Sequence, residues 1–435
     1  VFFEEQVMVI KRLFRAAAAA LASLSLVLAA QAQDVTTINF FHTIPPDTEA
    51  FIVSELMPAY EAANPECRVA FRNLGIEGGD STALINAAVA ARDANSPSLV
   101  WLASSAAGNY VRAGVLADVQ GFFDARPELL DNLIDSLVTL STYEGAIRSV
   151  PMTTNNVAMY INVSAFEAAG VPIPSQNPEE TWTWEEFRAA AKAINDHGQT
   201  RGFLFSDGGG WAAWLATGWL AQAGTFYISP DYEIGFNSPE AIRTYEFLRS
   251  VIADGSTVFS EPGRGWDPAP WLAGRVAMTI NGPWNLSALL AVQDFEWTVV
   301  PLPRGENIAA PLGGNQLFVF DVSEAANACA FKFVEYMLTD EFQVPFTIRD
   351  GSLPVTESAS SSPEYLEFAA NTPALAGWAN QTPYGVARPA MPGFDAVGDG
   401  PYGRAWAAVF VEGADIQSTM DAAAAEAALL LDEAR

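Results

Sequence analysis

The sequence predicts an α/β protein built as two lobes. Three observations carry that expectation. The chain has 435 residues, more than one ordinary hydrophobic core accommodates. Short β-type runs alternate with helical segments along it. The glycine- and asparagine-rich loops lie just after strands, the edge where open α/β sheets hold ligands. Half of the residues are hydrophobic and 11% are aromatic, a globular composition rather than a disordered one.

The first segment reads as an export signal. Lys11, Arg12 and Arg15 precede an apolar run, Ala16 to Ala30, broken only by Ser23 and Ser25. Ala30 and Ala32 then stand at the spacing of small residues that a signal peptidase cuts after. Residues 1–32 are therefore expected to be a cleaved signal peptide, with Met8 a candidate translation start. The run is shorter than the ~20 residues that span a bilayer, and no cysteine follows it to carry a lipid. The expected location is the periplasm.

The mature chain opens with a β-type run, Thr37 to Phe41, stopped by the Pro45-Pro46 pair. Glu49 to Ala63 has helical spacing, with Phe51, Leu56 and Tyr60 on one face. Arg68 to Leu74 is a second strand. Gly75 to Asp80 is a glycine-rich turn, with Ser81 as cap of an alanine-rich helix to Arg92. Leu99 to Leu102 is a buried-type strand that ends at Ala103-Ser104-Ser105. Strands follow at Val157–Ile161, Gly202–Phe205, Val276–Ile280, Thr298–Pro301 and Gln316–Phe320. Helices are expected at Trp184–Asn195, with Thr183 as N-cap, and at Pro239–Ala253, Ala325–Leu338 and Gln417–Ala434. This alternation predicts parallel sheets.

The formal net charge is −29. Residues 1–32 carry three basic and two acidic groups, so the mature chain stands at about −30. Such a chain repels nucleic acid and anionic membranes. Cys67 and Cys329 are the only cysteines. Export permits a bridge between them, but two distant cysteines do not imply one, so a disulfide stays open against two buried free thiols as the default.

Enzyme chemistry finds no foothold. Neither His42 nor His197 belongs to an HExxH or comparable metal motif, and no cysteine pair has zinc spacing. There is no P-loop, no GxSxG elbow, and Gly208-Gly209-Gly210 lacks dinucleotide-fingerprint spacing. No carboxylate pair stands out for glycoside hydrolysis. We expect no catalytic residue, no metal and no cofactor. A secreted sugar-active enzyme is kept as an alternative.

The loops speak instead for a ligand site. The chain has 12 tryptophans; flat indole faces suit the C–H faces of sugars, with hydrogen-bonding groups at the rim. Trp182, Trp184, Trp214 and Trp271 read as packing residues. Trp211 and Trp284 follow glycine or proline in loops after strands, where a ring faces a cleft. Gly313-Gly314-Asn315 can bring main-chain N–H groups close to a ligand. Thr153-Thr154-Asn155-Asn156 places four hydrogen-bonding side chains before a strand.

Several motifs in a fixed order now carry a family resemblance. They are Pro97 to Val119 with Gly114-Val-Leu-Ala-Asp118, Asn155 to Phe166, and Thr183-Trp-Glu-Glu-Phe187. Ala277-Met-Thr-Ile-Asn-Gly-Pro-Trp284 is the strongest. Val299-Val-Pro-Leu-Pro303, Leu312-Gly-Gly314, Met337-Leu-Thr-Asp-Glu341, Gly351-Ser-Leu-Pro-Val355 and Arg388-Pro-Ala-Met-Pro392 complete the set. The chain resembles the extracellular solute-binding proteins of ATP-driven sugar importers, the maltose-binding group in particular, from about residue 37 to its end.

The resemblance implies a periplasmic-binding-protein-like fold: two α/β lobes, a hinge of crossing strands and a ligand cleft between the lobes. It implies lobes of 33–153 plus about 316–360, and 154–315 plus about 361–435. It implies a monomer that takes a carbohydrate and presents it to the importer's permease. Carried over residue by residue, it points to His42, Thr43, Ser104, Ser105, Asn155, Trp211, Trp284, Gly314, Asn315 and Arg388 as ligand-binding. In maltose-binding proteins the position of Ser105 carries an aspartate and that of Asn155 a glutamate. Here both are neutral, so another mono- or oligosaccharide, or a polyol, fits better than maltose. Glycerol 3-phosphate or a related polyol phosphate is the alternative within this fold; it needs a cationic or N–H-rich cleft, with Arg388 and Arg404 the arginines to examine.

Overall fold

The computed structural model describes residues 35–75, 79–93 and 95–435. The signal-peptide reading and Met8 lie outside them. The strands, in chain order, begin with β1 (Thr36–His42), β2 (Cys67–Asn73) and β3 (Leu99–Ala103). A small hairpin of β4 (Thr142–Tyr143) and β5 (Ala146–Ile147) precedes β6 (Val150–Pro151), β7 (Asn155–Asn156) and β8 (Ala158–Asn162). Then come β9 (Arg201–Phe205), β10 (Thr257–Phe259), β11 (Val276–Asn281) and β12 (Trp297–Val300). The last are β13 (Ala310–Gly313), β14 (Asn315–Val319) and β15 (Gly385–Ala387).

Two five-stranded sheets form the lobes. The first has the order β2-β1-β3-β14-β6, the second β10-β9-β11-β8-β12. A three-stranded sheet, β15-β13-β7, joins them. The sheets are mixed, which corrects the expectation of parallel ones. β1 runs parallel to β2 and β3, but β14 is antiparallel to β3 and β6. In the second sheet β9 is parallel to β10 and β11, and β8 is antiparallel to β11 and β12. The reason is the hinge. β8 enters the second lobe directly from β7, and β14 enters the first directly from β13, so each reverses the local strand direction.

Each sheet is buried on both faces, which is why its strands read as near-continuous apolar runs. In the first lobe Leu99, Trp101, Leu317 and Val319 meet Phe333 and Val334 on one face, while Val100, Leu102 and Phe318 meet Tyr110 on the other. In the second lobe Met159 and Ile161 join one core, and Ala158 and Tyr160 join Trp271 and Trp378 in another. Burying each such side chain contributes roughly 1.5–3 kcal/mol.

Local signals hold where they are chemically specific. Thr183 and Glu186 form a reciprocal capping box on the helix Trp184–His197. The helix Pro239–Ala253 has the expected limits, with Ser238 as its cap. Two expectations shift. The alanine-rich helix spans Gly79–Ala91, so Ser81 lies inside it rather than capping it. The helix expected from Glu49 is interrupted: Pro46–Phe51 and Met57–Ala63 flank a wider π-type turn, Ile52–Leu56. Pro58 has no N–H to donate back to Ser54, and the Met57 N–H reaches Ile52 instead.

The open question of the cysteines is resolved. Cys67 and Cys329 form a disulfide with Cα atoms 5.6 Å apart. It fastens the first residue of β2 to the helix Glu324–Met337. Lys332 and Glu66 form an ion pair beside it.

Candidate functional site

The hinge determines what faces the space between the lobes. β13 and β14 are separated only by Gly314, whose φ of +143° is open to glycine alone. A Cβ there would strike the Thr153 carbonyl, so this crossing can form only with glycine. Asn315 secures the same crossing: its N–H donates to Thr153 Oγ1 at 2.9 Å, and its carbonyl accepts from the N–H of Met152. Asn156 is buried and turned to structure, donating to the Trp378 carbonyl at 2.9 Å. Asn155, its neighbour in β7, is different. It is buried, and its Oδ1 has no hydrogen-bond partner among the described residues.

Beside Asn155 stands a cluster of three tryptophans. Trp211 lies in the first turn of the helix Gly209–Gln222, not in a loop as the triple glycine implied. Trp214 follows one turn later on the same face. Their rings meet edge to face at 5.2 Å. Trp284 comes from the turn after β11; it stacks on Trp214 at 6.0 Å and meets Trp211 edge-on at 6.1 Å. Both geometries are favourable for aromatic pairs. The Arg388 guanidinium lies over the Trp214 ring at 5.3 Å, a cation–π contact.

Glycines allow this crowding. A Cβ on Gly313 would lie 2.6 Å from the Trp214 ring and 2.8 Å from Asn155 Oδ1. A Cβ on Gly282 would collide with the Trp284 ring, which folds back over that residue. The Asn-Gly-Pro-Trp turn is held from beneath. Asn281 Nδ2 donates to the Trp266 carbonyl at 2.7 Å, Asn281 Oδ1 accepts from the Gly282 N–H, and the Tyr160 hydroxyl donates to the Gly282 carbonyl. Residues Arg349 to Gly351 close on the same turn. Ser287 Oγ donates to the Arg349 carbonyl, and Gly351 packs against the Pro283 carbonyl.

A second contact crosses between the lobes. Ser105 is fully buried and donates its hydroxyl to both oxygens of Asp395, each at 3.0 Å. Asp395 sits on the short helix Phe394–Val397. Gly108 touches Pro392 on the same segment, where a Cβ would lie 2.5 Å from the proline ring. Ser104 is half-buried at the same loop.

The other sequence candidates fall as follows. Thr43 is half-buried after β1. His42 is fully buried against Phe40 and Phe71, at 5.1 and 5.6 Å between ring centres. Its Nδ1 accepts from the Ile44 N–H, and its Nε2 lies 3.9 Å from Glu49. Burial outweighs the Glu49 carboxylate and lowers its pKa to about 4, so it is neutral at pH 7. All these partners belong to the first lobe. Arg404 pairs with Glu426 at 2.6 Å and is largely exposed.

The structure thus brings Asn155, Trp211, Trp284 and Arg388 together. It places Gly314 and Asn315 in the hinge and Ser105 against Asp395. Two participants escaped the sequence reading. Trp214 is buried, as a packing residue should be, yet its ring is the surface on which Trp284 and Arg388 converge; its spacing of three from Trp211 was the available signal. Asp395 stands in a four-residue helix with no periodic pattern to mark it.

Comparison with known proteins gives one consistent picture. A family model described as bacterial extracellular solute-binding protein matches residues 55–377. The sn-glycerol-3-phosphate-binding periplasmic protein UgpB of Escherichia coli K12 is 24% identical over 358 residues, 78% of each chain. The GacH receptor of Streptomyces glaucescens, with structures unliganded and in complex with acarbose, superposes with a TM-score of 0.79 at 20% identity, covering 92% of this chain and 100% of that one. UgpB of Mycobacterium tuberculosis in complex with glycerophosphocholine gives the same TM-score and identity, covering 92% and 99%.

Proposed function

The chain belongs to the bacterial extracellular solute-binding proteins, and on that premise we propose that it captures a mono- or oligosaccharide between its lobes and delivers it to the permease of an ATP-binding-cassette importer. The observation that carries this reading is the cluster of Trp211, Trp214 and Trp284 beside the hinge, next to the unpartnered Asn155 Oδ1. Indole faces remove the C–H face of a sugar from water, and a buried acceptor without a donor is costly until a hydroxyl fills it. His42, Thr43, Ser104, Ser105 and Arg388 complete the proposed contact set.

The lobes are proposed to be 33–153 with about 316–360, and 154–315 with about 361–435. The distribution of strands between the two sheets supports this. Ligand binding favours the closed arrangement of the hinge, and the permease reads that state. The protein is proposed to act as a monomer without catalysis, in the periplasm. An oxidised disulfide suits an exported chain, and no helix among the described residues is long and apolar enough to cross a membrane.

A thermal-shift screen of sugars, polyols and glycerol phosphates tests the reading. A ligand at 100 times its dissociation constant is expected to stabilise the fold by ~2.7 kcal/mol. Stabilisation by sn-glycerol 3-phosphate and by no carbohydrate would favour the second reading, a polyol-phosphate receptor, which the name of the E. coli relative and Arg388 support. Trp284→Ala is expected to weaken sugar binding by about 1–3 kcal/mol, as for other aromatic platforms; unchanged affinity in calorimetry would reject its role. Incubation with aryl glycosides and polysaccharides is expected to release no product. Release that is abolished by replacing one carboxylate would make the chain an enzyme.

A further inference from the structure

We propose that Asp395 is a specificity-determining residue of the cleft: its carboxylate receives paired hydroxyl groups of a neutral sugar and disfavours phosphate-bearing ligands. The inference rests on the sugar reading above and narrows it to the charge class of the ligand. It starts from the Ser105–Asp395 contact, in which a side chain of the β3 loop donates to a carboxylate presented by the other lobe.

A single hydroxyl donates to two oxygens there, each at 3.0 Å. An ionised carboxylate offers about four lone-pair sites and no donor. One shared O–H from Ser105 leaves room for further donors, and Asp395 is only half-buried. Two adjacent sugar hydroxyls present two O–H groups side by side, close enough to donate in parallel to the two oxygens of one carboxylate. They can bond one to each, with Ser105 as a third partner. Neither neutral Ser105 nor neutral Asn155 can supply that paired acceptor. The carboxylate that the β3 loop lacks is therefore contributed from the C-terminal segment.

The same segment sets the local charge. Asp399 follows one helical turn after Asp395 and lies against Gly210, the residue before Trp211. Burial, Tyr245 and then both carboxylates hold the Tyr227 phenol well above its ordinary range, so their field reaches the base of this segment. Of the two arginines a phosphate could use, Arg404 is engaged with Glu426; Arg388 lies over the face of Trp214, a contact that leaves its in-plane N–H groups to a ligand. A phosphate placed against Ser105 would face Asp395 oxygen to oxygen, with no proton to share. A neutral diol meets the same atoms as donor to acceptor.

The test measures affinity for maltose, trehalose, cellobiose, glucose and sn-glycerol 3-phosphate, by calorimetry, in the full mature chain and in two variants. Asp395→Asn removes the charge at nearly constant shape. It is expected to weaken the tightest neutral sugar about 10- to 100-fold, the range for hydrogen bonds to a charged group, and to improve the affinity for sn-glycerol 3-phosphate relative to that sugar. Ser105→Ala removes the same cross-cleft bond and keeps the charge. It is expected to preserve the preference for sugar over phosphate, whatever it does to affinity itself. A purely structural role for Asp395 would move the two variants together and leave the preference unchanged in both. Asp395→Asn that melts like the parent and binds the sugar within twofold of it overturns the inference and leaves the sugar reading standing. A parent chain that binds sn-glycerol 3-phosphate and none of the neutral sugars overturns both.

Discussion

Replacing Cys67 and Cys329 together by alanine is expected to lower the folding stability by about 5 kcal/mol. The bond closes a loop of 262 residues in sequence, and the entropy it removes from the unfolded chain grows with the logarithm of that length. It also joins parts that meet only late along the chain. β2 is made before the chain leaves for the second lobe, and the helix Glu324–Met337 after it has returned through β13 and β14. Without the bond, the return of that helix rests on Phe333, Val334 and Met337 against the first sheet, on the Tyr60 hydroxyl donating to the Cys329 carbonyl, and on the exposed Lys332–Glu66 pair. The last contributes little. Urea denaturation of the oxidised parent, the reduced parent and the double variant reads the effect. Coincident curves for oxidised and reduced parent would show that the bond does not constrain the unfolded state. Sugar affinity is expected to survive, because Cys67 opens β2 at the end of the strand opposite His42 and Thr43.

What the sequence carries and what it conceals divide along physical lines. The strands and the capped helices were legible because their signals are local. A buried strand such as Ala158–Asn162 is an apolar run, and Thr183 with Glu186 is a complete cap within four residues. Strand direction was not legible. β14 is antiparallel to β3 because of where Gly314 sends the chain, and nothing within Asn315–Val319 encodes that. The site was half legible. Trp211 and Trp284 stand beside glycine and proline, a turn signal that singled them out, although Trp211 lies in a helix and both rings are half-buried. Trp214 sits among apolar residues of a helix buried almost all round, where a functional face looks the same as a packing face. Asp395 and the disulfide both depend on residues brought together from distant parts of the chain, 290 apart for Ser105 and Asp395. For such pairs composition offers only candidates: 51 acidic residues for one, two cysteines for the other.

The second large effect expected is on stability against pH, and it comes from two buried groups acting in opposite senses. Asp350 ends the helix Asp340–Asp350, just before Gly351 meets the Trp284 turn. Burial raises its pKa from 3.8 to about 6, against the opposing hydrogen bonds from Ser352. A carboxyl raised in the folded state binds protons more tightly there than in the unfolded chain. Its protonated form costs nothing below pH 4, and stability is lost as pH rises from 4 through 6, by about 3 kcal/mol in all. His42 does the reverse. Its pKa falls from 6.5 to about 4 on folding. The unfolded chain therefore takes up a proton first, and stability present above pH 6.5 is lost as pH falls toward 4, again by about 3 kcal/mol. The two windows overlap, so in the parent they largely cancel. Separating them exposes each. Asp350→Asn keeps an acceptor for the Ser352 hydroxyl and removes the charge; it is expected to match the parent at pH 4 and exceed it by about 3 kcal/mol at pH 7.5. His42→Gln removes the opposing group, and its stability relative to the parent is expected to be greatest at pH 4 and to fall as pH rises to 7. Exposed carboxylates contribute equally to parent and variants, so the differences, read by urea denaturation across this range, isolate the two groups. A difference for Asp350→Asn that does not change between pH 4 and 7.5 would mean that this carboxyl ionises in the folded chain as it does in the unfolded one, and that the loop against Trp284 holds a charge within its buried contact.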